Sequence, residues 1–237
     1  MPARQGPRAY DWGVPQRRGA AALGLRELKK QRTRATLVDV AARLCARQGY
    51  ERTTVDQIAA AADVSPRTFS RYFHNKEEVI GALMEENSER VAEALARQPY
   101  DITEHEALAR AHIDVFRAAG RGQAGAMSFD RMNGFLSIVN STPMLGLASF
   151  TFRPEGSTHA VLEALARRMR VPVGDPAVRV VFDTWAVLMA TALGMPGSDA
   201  SDPGAFCDRI EETYVVFTRL WHPWRLGDQP PSGGPEQ

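Results

Sequence analysis

The chain is short of almost everything an enzyme site would show locally. It has two cysteines in 237 residues, Cys45 and Cys207. Two cysteines are too few for a disulfide framework. Both fall on apolar helix faces, where packing is the ordinary role. This usage fits a reducing compartment. No apolar run approaches the roughly 20 residues that span a bilayer. The first residues, MPARQGPRAYDWGVPQRRG, carry arginines with no apolar stretch behind them, so they do not read as a secretory signal. There is no G-x-S-x-G, phosphate loop, dinucleotide fingerprint or H-E-x-x-H. His105 and His112 stand seven apart with no Cys or carboxylate at metal-ligand spacing, and His159 and His222 are isolated. We therefore expect no enzyme, no metal and no cofactor. An enzyme hidden in the helical body remains a rival; its test is turnover lost in His105→Ala or His112→Ala.

Net charge is also nearly absent, at +1 for the whole chain. The charge that exists is unevenly placed. Between Arg26 and Arg47 lie seven Lys or Arg against two acids. A local basic patch on a near-neutral protein points to a polyanion docked in one place.

What is present is helical periodicity. Leu37, Ala41, Leu44 and Cys45 repeat at helical spacing, with Val38 and Val40 beside them, and Gly49 ends the stripe. A second helix starts at Thr53-Thr54-Val55-Asp56, with either threonine as cap, and turns its Val55, Ile58, Ala59 and Ala62 side inward. After the turn Ala62-Asp63-Val64-Ser65, Ser65 caps a third helix with Pro66 at its first position, where a missing N–H costs nothing. That helix runs to Phe73. Phe69 and Phe73, four apart, point to the core and leave Arg67, Thr68, Ser70 and Arg71 on other faces. Arginine forks onto guanine edges and hydroxyls meet other bases. Tyr72 can offer its hydroxyl to a phosphate. Lys76, beside the amides that open a fourth helix, suits another. Lys29, Lys30, Arg32 and Arg34 just upstream read as a basic arm toward DNA.

At these residues the chain resembles the TetR family of bacterial transcriptional regulators. The likeness rests on Thr53 to Ala59, on Ala62-Asp63-Val64-Ser65, and on Phe69 to Val79 with its Tyr-Phe-x-x-Lys-Glu ending, and it covers residues 34 to 83. The resemblance implies a phosphate contact at Thr54 and at Lys76, and DNA-facing roles for Ser65, Pro66, Arg67, Thr68, Arg71 and Tyr72. Two departures stand out. Asp63 replaces a turn glycine, which Asp tolerates, and Ser70 stands where an aromatic residue is common.

The expected fold class is all-α: an N-terminal three-helix head with a helix-turn-helix, then a helical body. The expected divisions are 1–28 a disordered basic arm, 29–76 the DNA-binding head, 77–222 the ligand-binding and dimerisation body, and 223–237 a disordered tail. In the body, Phe116, Met127, Met132, Phe135, Met144, Leu147, Phe150, Phe152, Trp185 and Met189 are candidate walls of a pocket for a small apolar or amphiphilic effector; each is equally an ordinary core residue. The resemblance implies a homodimer through the last two helices, about 176–194 and 203–221, with Val181, Leu188, Ile210, Tyr214, Phe217 and Trp221 as candidate interface. The function so implied is a ligand-responsive repressor that binds a palindromic operator in double-stranded DNA. It would work in the cytoplasm, at the nucleoid, without a membrane. The alternative is a helical DNA- or protein-binding module without an effector.

Overall fold

The computed structural model describes residues 18–141, 159–194 and 202–220, and all regular structure among them is helical. In chain order these are α1 (Arg18–Gln48), α2 (Val55–Ala61), α3 (Pro66–Ser70), α4 (Lys76–Ala96), α5 (Glu104–Gly120), α6 (Phe129–Ser141), α7 (His159–Met169), α8 (Pro176–Gly194) and α9 (Pro203–Leu220).

The helix ends follow local chemistry. Gly49 adopts φ 84° after α1, and its N–H reaches the Cys45 carbonyl at 2.9 Å. A glycine accepts that left-handed geometry without a Cβ clash. Thr54 rather than Thr53 caps α2: its hydroxyl accepts from Gln57 N–H while the Gln57 side chain accepts from Thr54 N–H, a reciprocal box. Thr53 is buried and donates to the Gly49 carbonyl. Asp63 sits at φ 54°, the strained turn position anticipated for it. The third helix is shorter than its expected span to Phe73. It ends at Ser70, and turn hydrogen bonds from Tyr72 and Phe73 N–H to the Phe69 carbonyl carry the chain onward.

Residues 18–28 are helical, the opening of α1; residues 1–17 lie outside the described residues. By contacts the chain divides between Thr36 and Leu37. From Leu37 onward, Ile58, Phe69 and Phe73 of the head share one buried cluster with Leu83, Phe116 and Trp185 of the body. The cause is α6. Gly134 lies so close to α1 that a Cβ there would fall 2.5 Å from the Ala42 carbonyl oxygen. Nearby, Ser137 donates to the Cys45 carbonyl at 3.3 Å. Arg131 of α6 also bridges Asp39 of α1 and Glu86 of α4. The head is thus built onto the body rather than hinged from it.

The body packs α5 against α9, α7 against α4, and α8 against α9. Arg168, 8% exposed, donates to the carbonyls of Gln98, Pro99 and Ile102 and so seals the turn after α4. The helix α8 is by length and apolarity able to cross a membrane, with a mean hydropathy of 1.4. Yet it carries the ion pair Arg179–Asp183, and its Phe182, Trp185 and Met189 belong to the core.

Candidate nucleic-acid interface

The site is built from α2, α3 and the turn between them. Burial of Phe69 at 0% and Phe73 at 2% fixes the roll of α3. With those rings anchored, Ser65, Pro66, Arg67, Ser70 and Arg71 are exposed and Thr68 is half-buried. The hydroxyls are pre-placed by local bonds. Ser65 Oγ accepts from Thr68 N–H and lies 2.9 Å from Thr68 Oγ1, while Ser70 Oγ donates to the Pro66 carbonyl. Thr54 stays exposed at the start of α2. Arg67 and Arg71 are the two long cations of this face, and Arg71 Nη2 donates to the Tyr72 hydroxyl at 3.2 Å.

Two of the expected residues are half-buried. Tyr72 is half-buried and packs against the core, so its ring is largely structural. Lys76 is half-buried too. Its ammonium donates to the Tyr50 carbonyl at 3.1 Å and sits 4.1 Å from the Tyr50 ring centre. Tyr50 in turn donates to Glu77 at 2.7 Å. This bond holds the Glu77 carboxyl below its ordinary pKa, and burial together with the same bond pushes the Tyr50 phenol up. Lys76 therefore ties the start of α4 to the end of α1. The open hydroxyl-guanidinium face is α3 and its cap.

Lys29, Lys30, Arg32 and Arg34 are exposed on the first part of α1, which is a unit apart from the rest.

In the body, Phe116, Met127, Met132, Phe135, Trp185 and Met189 are all at most 2% exposed and close-packed, with Phe116 against Phe206 at 5.2 Å. Met144, Leu147, Phe150 and Phe152 lie outside the described residues. Against Phe116 and Trp185 lies a polar ring. His112 is buried; its Nδ1–H donates to the Leu108 carbonyl at 2.8 Å, and the Trp185 indole reaches its Nε2 at 3.5 Å. Burial drops its pKa to about 4, so the ring is neutral. The two thiols are buried as expected, and burial pushes Cys207 up to about 11 and Cys45 upward as well, which keeps both protonated. Among the described residues no cluster of three metal-ligating side chains exists.

Of the expected interface residues, Val181, Leu188, Tyr214 and Phe217 are half-buried, and Trp221 lies outside the described residues. Ile210 is a correction: at 2% exposure it is spent inside the chain's own core and has no surface to offer. The large apolar residues that these two helices leave exposed are Val180, Val187, Val215, Val216 and Leu220. Helix 176–194 is apolar toward the core and again at Val180 and Val187, so it offers a second face for cover.

Comparison with known proteins agrees with this geometry. Residues 37–83 match the family described as bacterial regulatory proteins, tetR family. The HTH-type transcriptional regulator TcmR of Streptomyces glaucescens is 34% identical over 152 residues, 64% of this chain and 67% of that protein. Two solved structures share the fold. GusR of Salmonella enterica has a TM-score of 0.50 at 19% identity, covering 79% of this chain and 94% of its own. CprB of S. coelicolor A3(2) has a TM-score of 0.50 at 24% identity, covering 81% and 89%.

Proposed function

The chain belongs to the TetR family of bacterial regulatory proteins, DNA-binding transcriptional regulators, and from that premise we propose a ligand-responsive repressor that binds a palindromic operator as a homodimer. The observation that carries this reading is the roll of α3, which buries Phe69 and Phe73 and leaves Arg67, Ser70 and Arg71 outward. In it, α3 enters the major groove. Arg67 and Arg71 fork onto base edges or phosphates, Thr68 and Ser70 meet neighbouring bases, and Ser65, Thr54 and the amides near them hold the backbone. Lys29, Lys30, Arg32 and Arg34 add phosphate or minor-groove contacts. A single head reads few base pairs, so two heads on one symmetric dimer double the site.

The effector in this reading is a small apolar or amphiphilic molecule bound in the body. It weakens operator binding by preferring the form that binds DNA poorly; a ligand with equal affinity for both forms would change nothing. The family is one of regulators, and no catalytic role is assigned to His105 or His112.

The test is binding to duplex DNA from upstream of the chain's own gene, in a mobility-shift assay over a range of salt. We expect sequence-selective binding whose affinity falls with salt as phosphate contacts release counterions. Equal affinity for that DNA and for random duplex overturns the reading.

A further inference from the structure

A cleft of about 400 Å³ opens where α4 and α5 run side by side under the loop 121–127. Such a volume lies in the range that holds small ligands. Its lining includes the apolar Val115 and Met127, both nearly buried. Its walls carry three guanidiniums, Arg90, Arg97 and Arg121, against the carboxylates of Glu93 and Asp114. Asp114 accepts from the Gln98 amide at 3.0 Å. Arg97 and Arg121 are exposed and make no ion pair or side-chain hydrogen bond among the described residues. Their placement just past the ends of α4 and α5 suits the helix dipoles. That alone does not account for Arg97, because Arg168 already occupies the carbonyls that follow α4.

Arg90 is different: it is built into the protein. It donates to the Gly125 carbonyl on the cleft rim and to Glu86 at 3.0 Å. The other oxygen of Glu86 holds Arg131, which also holds Asp39 of α1. One unbroken series of charged groups thus runs from the cleft to the first helix of the head.

We propose that this cleft binds a small organic carboxylate, held by Arg97 and Arg121 with its apolar part toward Val115 and Met127, and that its occupancy is felt in α1 through Arg90, Glu86 and Arg131. The carboxylate accepts from the guanidiniums in the fork geometry that planar anions favour. A carboxylate at the mouth also competes with Glu86 and the Gly125 carbonyl for the N–H groups of Arg90. Glu86 then changes its hold on Arg131, and Arg131 its hold on Asp39. The regulatory half of this inference rests on the repressor reading; the binding half does not.

The experiment is titration calorimetry of the full chain at low salt with octanoate and benzoate, using octanol and benzamide as uncharged counterparts. Saturable binding of a carboxylate is expected, with no binding of its uncharged counterpart. In the double variant Arg97→Gln, Arg121→Gln the carboxylate Kd should rise at least tenfold with the thermal midpoint unchanged. No saturable carboxylate binding, equal binding of the uncharged counterpart, or an unchanged Kd in the double variant overturns the site. The same preparations are then assayed on DNA. In the wild type a saturating carboxylate should change the DNA Kd; in Glu86→Gln it should bind and leave the DNA Kd unchanged. An equal change in both proteins overturns the coupling. A chain that binds carboxylate but shows no selective DNA binding overturns the repressor reading and leaves the site standing.

Discussion

Arg67 and Arg71 concentrate the functional argument at single side chains. Both are exposed, and Arg71 lies against the Tyr72 hydroxyl and ring. Replacing either with alanine removes little that holds the fold. If either forks onto a base, the loss should be about 1 to 3 kcal/mol, roughly 5- to 150-fold in operator Kd, with discrimination at that base relaxed. A phosphate contact instead weakens all sequences alike and flattens the salt slope. Titration of Arg67→Ala and Arg71→Ala against operator and scrambled duplex separates the two. His112 makes a different kind of prediction. Its folded pKa, about 4, lies below the ordinary value of 6.5. The folded state therefore holds fewer protons than the unfolded chain between those values. Stability is full above about pH 6.5 and is lost as pH falls toward 4, by on the order of 3 kcal/mol from this residue. Denaturant melts at pH 7 and pH 4.5 should show a smaller drop in His112→Gln. His105 is shifted in the same direction by burial, so part of the slope should remain.

Helices and their caps were the most legible layer of this sequence. Pro176–Gly194 was read to the residue, and α3 began at Pro66 with Ser65 as cap, because start and stop signals are local. The outward set of α3 followed from two aromatic residues four apart. What sequence did not give was the union of head and body, since it depends on α6 meeting α1 across some ninety residues of chain. Gly134 looked like any helical glycine, and only its approach to Ala42 shows why a side chain is missing there. The contact of Lys76 with Tyr50 was out of reach for a related reason: a lysine at a helix start reads as exposed unless one knows that Tyr50 lies beneath it. Gly134→Ala tests the union. The backbone of α1 must shift to admit the methyl, and overpacking of this kind costs about 1 to 3 kcal/mol despite the better helix propensity of alanine. A lowered thermal midpoint is the expected result; an unchanged or raised one would show that α1 moves away freely. Ser65→Ala should cost less, about 1 kcal/mol, through a lost cap.

For the whole molecule the question is what covers α8 and α9. The chain leaves Val180 63%, Val187 57% and Leu220 76% exposed, with Val215 and Val216 about half exposed. Val180 and Val187 are seven apart and lie on one side of α8. Exposed apolar side chains gathered on two adjacent helices mark an association surface rather than scattered surface residues. A second copy of the same helix pair is the simplest cover, because a two-fold axis brings identical patches together and yields four packed helices. The dimer would also give the α3 faces their purpose, since a tethered second head binds at high effective concentration and raises affinity by about 10² to 10⁴ over one head. An aspartate at each of positions 180 and 187 puts charge into that seam without touching the core beneath. Sedimentation should then show twice the chain mass for the wild type and a single chain mass for Val180→Asp, Val187→Asp. Operator affinity should fall by the same avidity factor, while a half-site duplex is bound equally by both proteins. A wild type that sediments as one chain at concentrations where it still binds the full operator would separate DNA reading from dimerisation and leave the apolar face of α8 and α9 to another partner.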